Sequence, residues 1–174
     1  MDSPLTQAGI QQIESLAEQL VNHSRNNPID YIVTSPLSRA THSAKILQNR
    51  IVKPLTTFDS LKERSFGIWQ GNLFDEIKDD PNFSDVFFQV NDTPIQQGES
   101  AIEARKRMAL GLRQLNRKFP NRKLLVVTHG ELLRCFLSGL ENGIDGSAYQ
   151  LFKNGSVFEV WYSSEKDQFK YAIF

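Results

Sequence analysis

Cysteine occurs once in the 174 residues, at Cys135, and histidine three times, at His23, His42 and His129. A single cysteine excludes an intrachain disulfide and a multi-cysteine zinc site, and it favours a reducing compartment. Net charge is lacking as well, with 20 Lys and Arg against 20 Asp and Glu. Global electrostatics therefore point to neither nucleic acid nor a membrane surface. No apolar run approaches the ~20 residues of a membrane span, and "MDSPLTQAG" has no signal-peptide character. Internal repeats, low-complexity tracts and interdomain linkers are absent too. These absences predict a cytoplasmic globular protein. The length suits one domain over residues 1–174, with a core that needs neither disulfide nor metal.

Periodicity supplies the elements. Thr6 is a candidate N-cap, followed by Ile10, Ile13, Ala17, Leu20 and Val21 at helical spacing, and "NHSRNNP" closes that helix. "IDYIVTS" is a short β-branched and aromatic strand. "SPLSRATHSAKIL" reads as a second helix, with Ser35 as N-cap, Pro36 in the first turn and a stripe of Leu37, Ala40, Ala44 and Leu47. From Thr56 to Gly98 the pattern weakens to loop with aromatic anchors. Ser100 and Glu103 then have capping-box spacing at the head of a helix that Pro120 terminates. "KLLVVT" is continuously apolar, as a central parallel strand covered on both faces would be. A helix starts near Glu131, and "SVFEVWYS" and "FKYAIF" alternate as a closing hairpin. Strands alternating with helices predict an α/β layered sheet whose functional loops follow the carboxyl ends of the strands.

Two such corners carry candidate residues. Arg39 lies in a first helical turn, where the dipole disfavours a cation unless an anion binds between it and the free N–H groups. It is either a two-pronged phosphate grip or a surface arginine bonded to a nearby carboxylate. His129, between strand and helix, is either an anion-binding group or a core-edge histidine satisfied by a backbone carbonyl. Gly130 suits the tight turn and permits close ligand approach. Glu63, in "LKERSFGIWQG", is either a general acid among apolar neighbours or a salt-bridge partner of Lys62 or Arg64. His23 and His42 read as solvated or structural, and Cys135 as core. An arginine, a histidine and a carboxylic acid together can bind a phosphoryl group and protonate its leaving oxygen. No nucleophile accompanies them.

The segments "DSPLTQAG", "VTSPLSRATHSA", "LKERSFGIWQG", "GES" and "VVTHGELLR" occur in the order found in the histidine phosphatase superfamily, also called phosphoglycerate mutase-like. The chain resembles that family over essentially its whole length. The resemblance implies a three-layer α/β/α fold with a mostly parallel sheet. It also implies a phosphomonoesterase that works through a phosphohistidine and uses no cofactor and no metal. Arg39 would clamp the phosphoryl group with Gly130 beside it, His129 would steady the transferring phosphate, and Glu63 would protonate the leaving alcohol. The family's nucleophile stands in an Arg-His-Gly tripeptide upstream of the segment equivalent to "DSPLT", and these 174 residues contain no such tripeptide. The expectation is a chain lacking the family's first strand, with little or no turnover. An exposed sheet edge would favour a homodimer or a strand-swapped assembly. Two other readings stay open: a non-catalytic anion-binding or interaction protein (a pseudophosphatase), and a mutase-type phosphotransferase. The short segment between "WQG" and "GES" favours phosphatase over mutase. The partner is a small phosphorylated substrate, chosen by residues between Asn72 and Gln97. Glu131, directly after His-Gly, would either repel phosphate or point outward.

Overall fold

The computed structural model describes residues 2–24, 28–145 and 149–174. Along the chain the elements are α1 (Gln7–Ser24), β1 (Tyr31–Thr34), α2 (Ser38–Ile51), β2 (Leu55–Thr57), α3 (Phe74–Ile77), α4 (Phe83–Phe88), α5 (Ala101–Lys118), β3 (Leu124–Val127), α6 (Gly130–Leu137), β4 (Phe158–Ser163) and β5 (Gln168–Ile173). This is an α/β fold with a parallel sheet. No described helix is long and apolar enough to cross a membrane. The chain forms two compact units, one made of Asp2–Lys62 with Gly111–His129 and the other of Glu63–Leu110 with Gly130–Phe174.

The first unit is built on a three-stranded parallel sheet in the order β2-β1-β3. Side chains alternate across β3, and both of its faces are covered. Leu125 and Val127 pack with Ala17, Leu20 and Leu47 of α1 and α2. Leu124 and Val126 pack with Val33, Leu61 and Leu115, joined by Leu112 and Phe119. Helices on both faces explain why β3 is apolar at every position. The same pattern led the sequence reading astray on strand order. Among the described residues β1 is the central strand, with Ile32, Val33 and Thr34 buried, whereas β3 pairs only with β1 and stays partly exposed throughout. Coverage of faces, not position in the sheet, is what an unbroken apolar run records.

Capping at α1 follows expectation, because Thr6 Oγ1 accepts the Gly9 amide at 3.1 Å. Residues 25–27, within the predicted end of that helix, lie outside the described residues. Ser35 is a different matter. Helix α2 begins only at Ser38, and Leu37 is its N-cap residue without a side-chain bond. Ser35 is instead the buried last link of the β1 segment, its amide donating to the Val127 carbonyl at 2.9 Å. The Pro36 ring removes one amide just past the strand and delays helix entry.

The second unit contains the antiparallel β4–β5 hairpin, registered from Phe158 opposite Ile173 to Ser163 opposite Gln168. Its Phe169 ring meets Phe136 of α6 edge-on at 5.2 Å. The capping box at α5 is complete: Ser100 Oγ accepts the Glu103 amide and Glu103 Oε2 accepts the Ser100 amide. The weakly patterned stretch is not bare loop. Two short helices, α3 and α4, fold over a core of Trp69, Ile77, Phe83, Val86 and Ile95. Phe87 stacks on both Phe66 and Trp69. The chain can fold back here because Gly67 adopts φ +50, and a Cβ at that position would lie 2.1 Å from the Gln96 carbonyl oxygen.

Candidate active site

Parallel pairing of β1 with β3 sets Thr34 opposite Val127, so both chains leave the sheet side by side. Ser35 follows one strand, and Thr128 with His129 follows the other. Thr128 Oγ1 donates to the Leu61 carbonyl at 3.0 Å, which pins the second corner. His129 is 7% exposed, and its Nε2 lies 2.8 Å from the Oγ of fully buried Ser35. The partner of this nitrogen is thus a hydroxyl.

Arg39 sits in the first turn of α2 with about a quarter of its side chain exposed, and its Nη1 is 3.9 Å from Asp2 Oδ1. The Asp2 carboxylate receives the Ser38 amide at 2.9 Å and the Ser38 hydroxyl at 2.8 Å. An anion therefore does stand at this helix N-terminus, between the arginine and the amide, and the chain supplies it. The Ser38 bonds, and to a smaller degree Arg39, hold the Asp2 carboxyl below its usual range.

The second unit places the remaining candidates. Glu63 Oε1 accepts its neighbour's amide, Arg64 N–H, at 3.0 Å and the Leu132 amide in the first turn of α6 at 2.9 Å. Both donors are backbone amides, so Oε1 serves as an acceptor that ties the Glu63 motif to the start of α6. Arg64 turns the other way: its side chain is fully buried and reaches Glu131, the Val86 carbonyl and the Glu99 carbonyl. Glu131 corrects an expectation. It neither points outward nor faces an anion, because its carboxylate is clamped by Arg64 at 3.0 Å and Arg134 at 2.7 Å. Gly130 opens α6 in this unit. The space a Cβ would take there is bounded by the Phe152 carbonyl oxygen at 3.0 Å. Cys135 lies buried beside Glu131, 3.5 Å away, and burial with that carboxylate pushes its thiol up to about 12.

Of the sequence candidates, the structure gathers Arg39 and His129 at neighbouring strand ends of one unit and gives Glu63 and Gly130 to the other. Ser35 was read only as a cap, and Asp2 was not singled out at all. The register of β1 against β3 is the signal that finds Ser35. Among the described residues no group of three or more His, Cys, Asp or Glu is placed to hold a metal ion.

Residues 1–172 match the family model of the histidine phosphatase superfamily, branch 1. The chain belongs to that family. It is 28% identical over 169 residues to PhoE, an uncharacterized phosphatase of Bacillus subtilis, spanning 97% of this chain and 81% of that protein. It is 30% identical over 141 residues to a probable phosphoglycerate mutase, GpmB of Yersinia pestis, of which it spans only 64%. The fold matches YhfR of Bacillus stearothermophilus with a TM-score of 0.82 at 22% identity, covering 99% of this chain and 84% of that one. A phosphoserine phosphatase from Entamoeba histolytica, solved with phosphoserine, matches at 0.78 with 25% identity, covering 98% of this chain and 83% of that one.

Proposed function

We propose that this chain is a phosphatase-branch member of its family, with an anion pocket formed by Arg39 and His129 for the phosphoryl group of a small phosphate ester. The observation that carries this reading is the pairing of β1 with β3, which sets the Ser35–Arg39 and Thr128–His129 corners at adjacent strand ends. In α/β sheets the carboxyl ends of parallel strands are where ligands are held. Arginine and the protonated imidazole supply charge-assisted hydrogen bonds to phosphoryl oxygens. Glu63 enters through its motif, as proton donor to the leaving alcohol. The fuller span of the phosphatase relative than of the mutase relative favours hydrolysis over mutase-type transfer.

In the family's reaction a histidine nitrogen attacks phosphorus, the ester P–O bond breaks, and the alkoxide takes a proton. Water then cleaves the phosphohistidine. His129 follows Thr128, not arginine, and these residues contain no Arg-His-Gly tripeptide to supply the attacking nitrogen. The expected behaviour of the 174-residue chain is phosphate binding with hydrolysis close to background. That is also the point at which the enzyme reading and the pseudophosphatase reading coincide for this polypeptide.

Inorganic phosphate and vanadate titrations followed by NMR test the pocket. Resonances of His129 and of the Arg39 turn are expected to shift together, and Arg39→Ala is expected to weaken phosphate about tenfold to a hundredfold, as loss of a hydrogen bond to a charged group does. Saturation without any response at these two residues would remove the pocket. Hydrolysis of p-nitrophenyl phosphate at ordinary phosphatase rates, abolished by His129→Ala, would overturn the expected lack of turnover.

A further inference from the structure

We infer that the aromatic patch on α3 and α4 is an interaction surface for a second copy of this chain, which docks the basic stripe of its own α5 there. Leu73, Phe74 and Phe88 are 70%, 59% and 45% exposed, and the two rings are not scattered. Both meet the ring of buried Phe83 edge-on, Phe74 at 5.0 Å and Phe88 at 5.9 Å. Single exposed apolar side chains are ordinary, whereas adjoining ones rimmed by charge mark places where another protein lands. The rim here is acidic. Asp75, Glu76, Asp79 and Asp85 are exposed on the same two short helices and the turn between them. Residues 72–92 hold six carboxylates against one lysine, and that Lys78 pairs with Asp75 at 2.8 Å.

Charge selects the occupant. The chain as a whole is neutral, so the acid gathered on this patch is balanced elsewhere. Helix α5 carries the opposite excess, six Arg and Lys against Glu103 alone. Along it Lys106, Leu110 and Arg117 are exposed at four- and seven-residue steps, which is one face of a helix. Leu110, 56% exposed, stands between cations as Phe74 stands among carboxylates. Two copies therefore offer each other an apolar centre within charge of opposite sign, the arrangement that steers and aligns protein pairs. With no net charge, no long-range repulsion keeps the copies apart. Exposed ion pairs each contribute little, so the rings supply affinity and the charges supply orientation. These surfaces take no part in the proposed phosphate pocket, and the inference does not rest on it.

Sedimentation velocity of the full chain over a concentration series, at low and at raised salt, tests the contact. Association is expected at low salt and should weaken as salt screens the rim. Phe74→Ser should weaken it about tenfold or more, the loss of one buried aromatic side chain. Asp79→Lys with Asp85→Lys should leave the chain monomeric, and so should Lys106→Glu with Arg117→Glu. All five positions are exposed, so the variants leave the core intact. Mixing the two charge-reversed chains should restore association, because the altered patch of one then meets the altered stripe of the other. Phe74→Ser in both should weaken that mixed assembly by about tenfold again, a response that bulk attraction between oppositely charged proteins would not give. A native chain that stays monomeric at low salt would overturn the proposal, whatever its variants do. So would association that both reversals leave intact, which would move the contact to another surface. A monomer that binds a lysine-rich amphipathic peptide through Phe74 would give the patch to a different protein, and it too would overturn the second copy as occupant.

Discussion

Ser35 and His129 meet through a hydroxyl and an imidazole, whereas around Glu131 one carboxylate and two guanidinium groups are sealed together. Side chains of Arg64 and Arg134 are 0% exposed, and that of Glu131 is 9%. The difference separates groups able to trade partners from groups that cannot. A hydroxyl–imidazole pair can give way to a ligand oxygen at the cost of about one net hydrogen bond, ~1 kcal/mol. An ion cluster out of water has no such freedom, since any missing partner strands a charge in low dielectric. The cluster also contains one more cation than anion, and Arg64 Nη2 is buried without a hydrogen-bond partner. The Glu131 carboxylate is shared by both guanidinium groups. On the proposed reading the hydroxyl–imidazole corner serves ligand exchange and the charged cluster serves architecture, although His129 and Glu131 are two residues apart in sequence.

The largest expected effect comes from Glu131→Gln. It leaves two buried arginines short of their shared anion, and urea unfolding should show a loss of about 3–5 kcal/mol, the range for breaking a buried pair. Ser35→Ala, measured alongside, should lose only ~1 kcal/mol. A loss below about 1 kcal/mol for Glu131→Gln would erase the contrast, because the cluster would then be as replaceable as the hydroxyl.

A smaller effect, reading the same cluster from another atom, is expected at Cys135. Its thiol is raised from 9.0 to about 12 by burial first and by the Glu131 charge second. The sign follows from which state keeps its proton. Above pH 9 the unfolded thiol ionises while the folded one does not, so this stabilising contribution is complete below pH 9 and is lost as pH climbs toward about 12. A thiol reagent at pH 8 should leave native Cys135 unmodified and label it at the rate of unfolding. Labelling should quicken in Glu131→Gln. Rapid modification of the native chain would show that the cluster is open to water.

Much of this frame was legible in the sequence, and the reason is that it is local. The α1 stripe, the Thr6 cap, the Ser100–Glu103 box and the closing hairpin each depend on residues a few positions apart. The site was legible in part. Arg39 and His129 announced themselves by standing at strand-to-helix corners, yet Ser35 looked like a cap because its partner lies 94 positions away. Glu131 was read as a repellent for the same reason, its Arg64 partner being 67 positions upstream. The aromatic stretch hid its order because α3 and α4 are too short to show a period. Its structure comes from rings packing on rings, as where Phe83 meets Phe74 edge-on at 5.0 Å, and not from spacing. The apolar run of β3 recorded two covered faces and carried no information about its edge.

The smallest expected effect sharpens the exposed side of the comparison, at Asp2. Its carboxylate holds the Ser38 amide and hydroxyl beside Arg39, the place where an external anion would meet the same helix end. The bonds to Ser38 lower its pKa, so the ionised tie is complete above the ordinary carboxylate value of 3.8 and is lost as pH falls through the lowered one. The Ser38 amide resonance should report that release on acidification. If the corner is built to exchange partners, Asp2→Asn should tighten phosphate by a few-fold at neutral pH, because a competing negative charge is gone while the amide keeps a weaker acceptor. If phosphate binding weakens instead, Asp2 serves to set the arginine in place. The corner would then be fixed architecture like the cluster at Glu131, and the distinction between the two regions would fail at its most exposed residue.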